Sequence, residues 1–328
     1  MIFRTPLPAL HSPWHISHQH KLMAVGSCFT ENIGTYLQAQ KFQININPFG
    51  IIYNPISIAD NLIRLANNNP FDTNDLIENA GLWHSWSHHG CFATASATAT
   101  LTTINHAFDA TRNHLTDVSY LIITLGTASI FTHRPTQRIV ANCHKIPNHQ
   151  FDRTLLSVTT VTQSLGRTIE ILTTHYPQLR IILTVSPVRH LRDGFAENQQ
   201  SKATLLLACA ECCNTYSNTS YFPAYELVMD DLRDYRFYAA DMIHPNQTAI
   251  EYIQAYFSAA YFDANTQQLN KEIAQIVSAS HHRPLNPQTP AHQQFLRQQL
   301  LRLEVLEQAH PYLDFSTERA LFTKQIMT

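Results

Sequence analysis

Three short apolar runs, each ending abruptly in small polar residues, constrain the fold of this 328-residue chain more than any other feature. Residues 22–25 stop at Gly26-Ser27, residues 120–125 at Gly126-Thr127, and residues 180–185 at Ser186-Pro187. Continuous apolar, β-branched runs of this length suit strands buried on both faces, as in parallel sheets covered by helices. Helical spacing fills the intervals at 56–65, 101–115, 151–175 (ahead of Pro177), 201–216 and 248–261. Two shorter strands, 44–47 and 221–223, bring the count to five. Strands alternating with helical crossovers predict a doubly wound parallel sheet.

In such a sheet, ligands bind where strands end and the following helix directs its free N–H groups. Lys21 to Gly34 reads as strand, tight turn and helix, with Thr30 as a capping residue, and Ser27 lies in the turn. Two readings of Ser27 stand side by side: a nucleophile beside amides that can hold an oxyanion, or a helix cap. Much later, Asp241-Met242-Ile243-His244-Pro245-Asn246 precedes the helix at 248–261. A D-x-x-H spacing there lets the carboxylate fold back and orient the imidazole of a general base. The alternative is a capping aspartate and a loop histidine that share no purpose.

Composition narrows the function classes. At 44% hydrophobic residues the chain can bury a sizeable core. Twenty-two Lys and Arg against 24 Asp and Glu, without a basic aromatic-studded stripe, argue against a nucleic-acid partner. The beginning Met1-Ile2-Phe3-Arg4 lacks a signal-peptide pattern and no segment approaches membrane-helix length, so the expectation is a cytoplasmic protein without a membrane partner. The six cysteines show no disulfide framework. Cys209, Cys212 and Cys213 fall inside a predicted helix as packing residues, without a second pair to complete a zinc site. His84, His88 and His89 lie close together but without a ligand carboxylate, so no metal or cofactor is expected.

Residues 128–145 read as a hairpin and the stretch through Asp230, Asp231 and Asp234 as a loop. Residues 67–99 read as an insertion over one end of the sheet. Beyond residue 262 two helices are expected, at 269–277 and 294–308, the second carrying a broad apolar stripe. The expected division is therefore a domain of residues 1–262 and a helical extension of 263–328. The stripe packs either on its own chain or on a second copy in a homo-oligomer.

Gly26-Ser27-Cys28-Phe29-Thr30 resembles the signature of the GSCFA family, with threonine in place of the final alanine. The resemblance continues through Asn47-Pro48-Phe49-Gly50, Leu125-Gly126-Thr127-Ala128, Asn142-Cys143-His144-Lys145, Ser186-Pro187-Val188-Arg189-His190, Ser201-Lys202-Ala203 and the Asp241 to Asn246 block. It covers about residues 1–260, and so many blocks in one order carry it. The family is similar to the SGNH, or GDSL-type, hydrolases. That likeness implies a flavodoxin-like three-layer α/β/α sandwich with Ser27 as nucleophile, His244 as general base and Asp241 as its orienting carboxylate. It also implies an oxyanion hole containing the backbone N–H groups of Ser27 and Gly50. SGNH enzymes normally add an asparagine from a Gly-x-Asn-Asp block, which this chain lacks. Thr127 or Asn54 is the expected substitute.

Arg189, His190 and Lys202 are expected near the same sheet edge, receiving an anionic part of a substrate, or else Arg189 pairs with Asp230 or Asp231. Cys28 is the runner-up nucleophile. The resulting expectation is a serine-dependent esterase or deacylase acting on a small-molecule or carbohydrate ester through an acyl-enzyme. The alternatives are an O-acyltransferase with the same triad and a binding protein that keeps the cleft without its chemistry.

Overall fold

The computed structural model describes residues 4–326. In chain order the body begins with β1 (Lys21–Gly26), α1 (Cys28–Ala39), β2 (Gln43–Ile46) and α2 (Pro55–Ala66). A small hairpin, β3 (Leu76–Asn79) and β4 (Leu82–Ser85), leads to α3 (Ala97–Leu115) and β5 (Val118–Leu125). Three antiparallel strands follow: β6 (Ser129–His133), β7 (Arg138–Val140) and β8 (Phe151–Leu155). Next come α4 (Val158–His175), β9 (Arg180–Val185), α5 (Phe195–Thr215), β10 (Thr219–Phe222), a short α6 (Ala224–Glu226) and α7 (Gln247–Tyr261). The chain closes with α8 (Ala264–Ser280), α9 (Pro290–Ala309) and α10 (Ser316–Gln325).

The main sheet runs β10-β9-β5-β1-β2, and every pairing in it is parallel. Counted along the sheet from β2, this is the 2-1-3-4-5 order of flavodoxin-like folds, with its switch point between β1 and β5. The two-residue period of the strands divides the core. Met23 and Val25 pack with Leu121, Ile123 and helices α2 to α5 on one face. Leu22 and Ala24 pack with Tyr120, Ile122, α1 and α7 on the other. The result is a three-layer α/β/α sandwich.

The structure corrects the sequence reading in several places. The helix expected from residue 151 begins only at Val158, because Phe151 is buried against Trp86 and His133 and its segment pairs with β6. Ser157 then caps α4. The loop expected through Asp230 and Asp231 is a π-helical turn, Leu227–Leu232, whose Leu227 and Val228 side chains join the second core face. Helix α10 has no strong apolar stripe in sequence and folds around one buried aromatic, Phe322.

Helices α8 to α10 share their own apolar cluster, including Ile273, Leu303 and Phe315. They also meet the body through Lys41, whose ammonium bonds the Glu318 carboxylate at 2.6 Å beside the Phe315 ring. Leu301 and Val305 of the predicted stripe face solvent. Among the described residues no helix is long and apolar enough to cross a membrane.

Candidate active site

The carboxyl ends of β1 and β5 meet at the switch point, and the backbone there admits only glycine. Gly26 has φ +141°, and a Cβ built on it would lie 2.1 Å from the Thr124 carbonyl oxygen. Gly126 is equally enclosed, its Cβ position falling 2.6 Å from Tyr53 Cβ. This close approach turns the chain sharply into α1 and sets Ser27 at the helix N-cap. The N-cap is Ser27, which the sequence offered as one of two readings of that residue, and not the expected Thr30: the Ser27 Oγ accepts from the Phe29 amide at 3.3 Å. Ser27 is 2% exposed.

The Asp241–His244 turn is a second, self-contained unit. Met242 adopts φ +58°, a left-handed conformation uncommon for a side chain of its size, and this tightens the turn. Asp241 Oδ1 accepts from the amides of Ile243 at 2.9 Å and His244 at 3.0 Å, while Oδ2 lies 2.7 Å from His244 Nδ1. The His244 amide, the His244 ring and the Ile243 amide together hold the Asp241 carboxyl down at about 2. A carboxylate can only accept, so Nδ1 donates, and in the neutral form of the ring the lone pair then sits on Nε2. That is the tautomer a general base needs. The two side chains are about half exposed, at 49% and 45%.

His190 stands between these units. Its Nε2 is buried without a hydrogen-bond partner and lies 3.3 Å from the position a Gly126 Cβ would take. Its backbone amide donates to the Asn198 side chain at 2.8 Å, and the amide of Arg189 donates to the Ile243 carbonyl at 3.3 Å. Burial, followed by the charges of Lys202 and His244, lowers the His190 imidazole to about 4, so the ring is neutral near pH 7. Ser27 Oγ and the His244 ring form no direct hydrogen bond with each other.

Other expected residues have different roles. Both proposed oxyanion amides are committed: Ser27 donates to the Thr124 carbonyl at 3.1 Å and Gly50 to the Asn47 carbonyl at 2.7 Å. Thr127 Oγ1 is 2.9 Å from Ser201 Oγ and accepts from the Ser129 amide. Asn54 caps α2 and gives its Nδ2 to Ser57 Oγ and the Val140 carbonyl. All four groups hold the fold at the site. Among the described residues Arg189 pairs with neither Asp230 nor Asp231: it stacks over Tyr238 at 4.3 Å and Tyr235 at 5.2 Å, while Asp231 is taken by Arg4. Lys202 is fully buried and presents no cation to solvent. Cys28, beside the serine, has its thiol raised by burial first and then by the Glu31 charge, which disfavours a thiolate.

Asn47 was legible in sequence only as part of a turn. Its Oδ1 accepts from the Gly26 amide at 3.0 Å, which fixes the orientation of the side-chain amide and leaves Nδ2 buried without a partner. An asparagine directly after the strand beside the serine's strand is the signal that marks it. The histidines at 84 and 88 are buried, with His88 Nδ1 2.9 Å from Ser85 Oγ. Among the described residues no group of three or more His, Cys, Asp or Glu side chains is arranged to hold a metal ion.

A family model described as the GSCFA family matches residues 21–257, and a second, described as the GSCFA domain protein C-terminal domain, matches 273–328. Among solved structures, a carbohydrate esterase of family 3 from Talaromyces cellulolyticus is 10% identical. It is matched over 77% of this chain and 99% of its own, with a TM-score of 0.37. A family 3 carbohydrate esterase from Clostridium thermocellum is 9% identical over 78% and 98%, with a TM-score of 0.36. An acetyl xylan esterase from Butyrivibrio proteoclasticus is 9% identical over 75% and 65%, with a TM-score of 0.35. No curated protein matches the chain.

Proposed function

The chain belongs to the GSCFA family, and from that premise we propose that it is a serine-dependent ester hydrolase, an esterase or deacylase, with Ser27 as nucleophile, His244 as base and Asp241 as the group that orients it. The observation that carries this reading is the Asp241–His244 pair at 2.7 Å, in which the carboxylate is held by two backbone amides and the imidazole keeps Nε2 free. Attack by Ser27 Oγ on an ester carbonyl would pass its proton to Nε2 and form a tetrahedral oxyanion. Collapse would return that proton to the leaving alcohol and leave an acyl-serine. Water then releases the acid, or a second hydroxyl takes the acyl group in an O-acyltransferase.

A second reading, a binding protein that keeps the cleft without the reaction, is favoured by one observation: the amides of Ser27 and Gly50 are already spent on carbonyl oxygens. A missing oxyanion donor costs about 10²–10³ in rate. A fluorophosphonate probe separates the two. The hydrolase reading expects covalent labelling of the wild type and none of Ser27→Ala. A folded wild type that stays unlabelled favours the binding reading.

A further inference from the structure

Among the described residues Lys202 is the most deeply buried basic side chain, 0% exposed, on the face of α5 turned toward the sheet. Its Nζ donates to the carbonyl oxygens of Gly126 at 2.7 Å and Ser186 at 2.6 Å, the residues that follow β5 and β9. An ammonium has three N–H donors, so one remains. Among the described residues no carboxylate pairs with it. The groups around it are the Cys28 thiol at the head of α1, the His190 imidazole, and the Tyr225 ring, whose centre is 5.7 Å away. None of them is an anion near pH 7, since burial raises both the thiol and the phenol and leaves the imidazole neutral. A buried charge without a counter-ion is costly to keep, and burial lowers this amine to about 7. Two carbonyl oxygens solvate it only in part.

We propose that Lys202 is a positioning residue of the site: a buried cation without a counter-ion that ties the ends of β5 and β9 together and biases the head of α1 toward negative charge. Such charge arises on an ester's carbonyl oxygen when Ser27 attacks it. This inference rests on the hydrolase reading for its purpose, though not for its electrostatics. A charge preorganised where charge will develop acts without reorganisation during the reaction. The two carbonyl bonds hold it there through backbone atoms, so the effect does not depend on a mobile side-chain partner.

The test uses the full-length protein, Lys202→Met, and Lys202→Gln, which keeps two donors for the carbonyl oxygens but removes the charge. The first readout is the rate of Cys28 alkylation by iodoacetamide at pH 6, below the Lys202 value so that the amine is charged, followed on the Cys28 peptide by mass spectrometry. It is expected to fall about tenfold in both variants, because the charge that favours the thiolate is gone. The second is turnover of p-nitrophenyl acetate, with kcat expected to fall about 10²-fold and KM to stay within threefold. A folded Lys202→Gln protein with an unchanged Cys28 alkylation rate at pH 6 overturns the proposal, because a purely structural lysine would be replaced without that change. Absence of ester turnover in the wild type would overturn the hydrolase reading alone, since the alkylation rate at pH 6 reads the charge independently. If neither variant folds, nitrogen NMR of the wild-type lysine decides: a protonated amine at pH 6 supports the proposal and a neutral one overturns it.

Discussion

In the Asp241–His244 turn, four consecutive residues satisfy one another while about half of each key side chain stays in solvent. At the head of α1, by contrast, segments from β1, β2, β5, β9 and α5 meet, and Ser27 and Lys202 are almost wholly enclosed. The turn resembles a component that a stable scaffold carries. The head of α1 is part of the scaffold itself. Substitution in the turn should therefore remove chemistry and leave the fold, whereas substitution at the head of α1 should disturb both.

The sharpest test of that contrast is His244→Ala. Turnover of p-nitrophenyl acetate is expected to fall about 10⁴-fold or more, with a melting temperature within about 1 °C of the wild type. Unchanged turnover would remove His244 from the mechanism, and a large loss of stability would break the contrast. Gly26→Ala comes next. Its methyl group would meet the Thr124 carbonyl oxygen, and the expected cost is about 3 kcal/mol or more by denaturant unfolding. A variant of wild-type stability would show that the β1 and β5 ends can separate.

A smaller effect concerns pH. His88 is 1% exposed and burial lowers its imidazole to about 3, against an ordinary value near 6.5. Both folded and unfolded forms are neutral at pH 7. As pH falls below 6.5 the unfolded chain takes up a proton that the folded one refuses, so stability declines with acidification until about pH 3. At pH 5 the loss from this ring is about 2 kcal/mol. His88→Gln should flatten that dependence in a thermal melt, and an identical acid slope would show that the ring protonates while folded. Smallest is Arg189→Ala, which breaks the stacking on Tyr235 and Tyr238 and is expected to cost about 0.5–1 kcal/mol with little change in turnover. A tenfold rise in KM for an anionic ester would return Arg189 to substrate binding.

Local patterns carried much of the architecture. Apolar runs stopping at Gly26, Gly126 and Ser186 located the three central strands within two residues, since a strand buried on both faces leaves a continuous signature. Asp241 and His244 lie three residues apart, so their pairing required no long-range information. Residues 151–155 escaped this logic. Their strand state depends on β6 and on Trp86, which are distant in sequence, and helix propensity lost to that packing.

The chain by itself determined the alternation of strands and helices, the glycine-serine turn after β1 and the carboxylate–imidazole pair, because each depends on residues close together. Tertiary structure alone decided which donors were free and which were spent. The Ser27 and Gly50 amides, Thr127 and Asn54 are occupied by partners that no local pattern names, while Asn47, His190 and Lys202 gained their environments from segments distant in sequence, Cys28 and Lys202 being 174 residues apart. Burial and hydrogen bonding are properties of the assembled neighbourhood, and the same side chain in a linear sequence has neither.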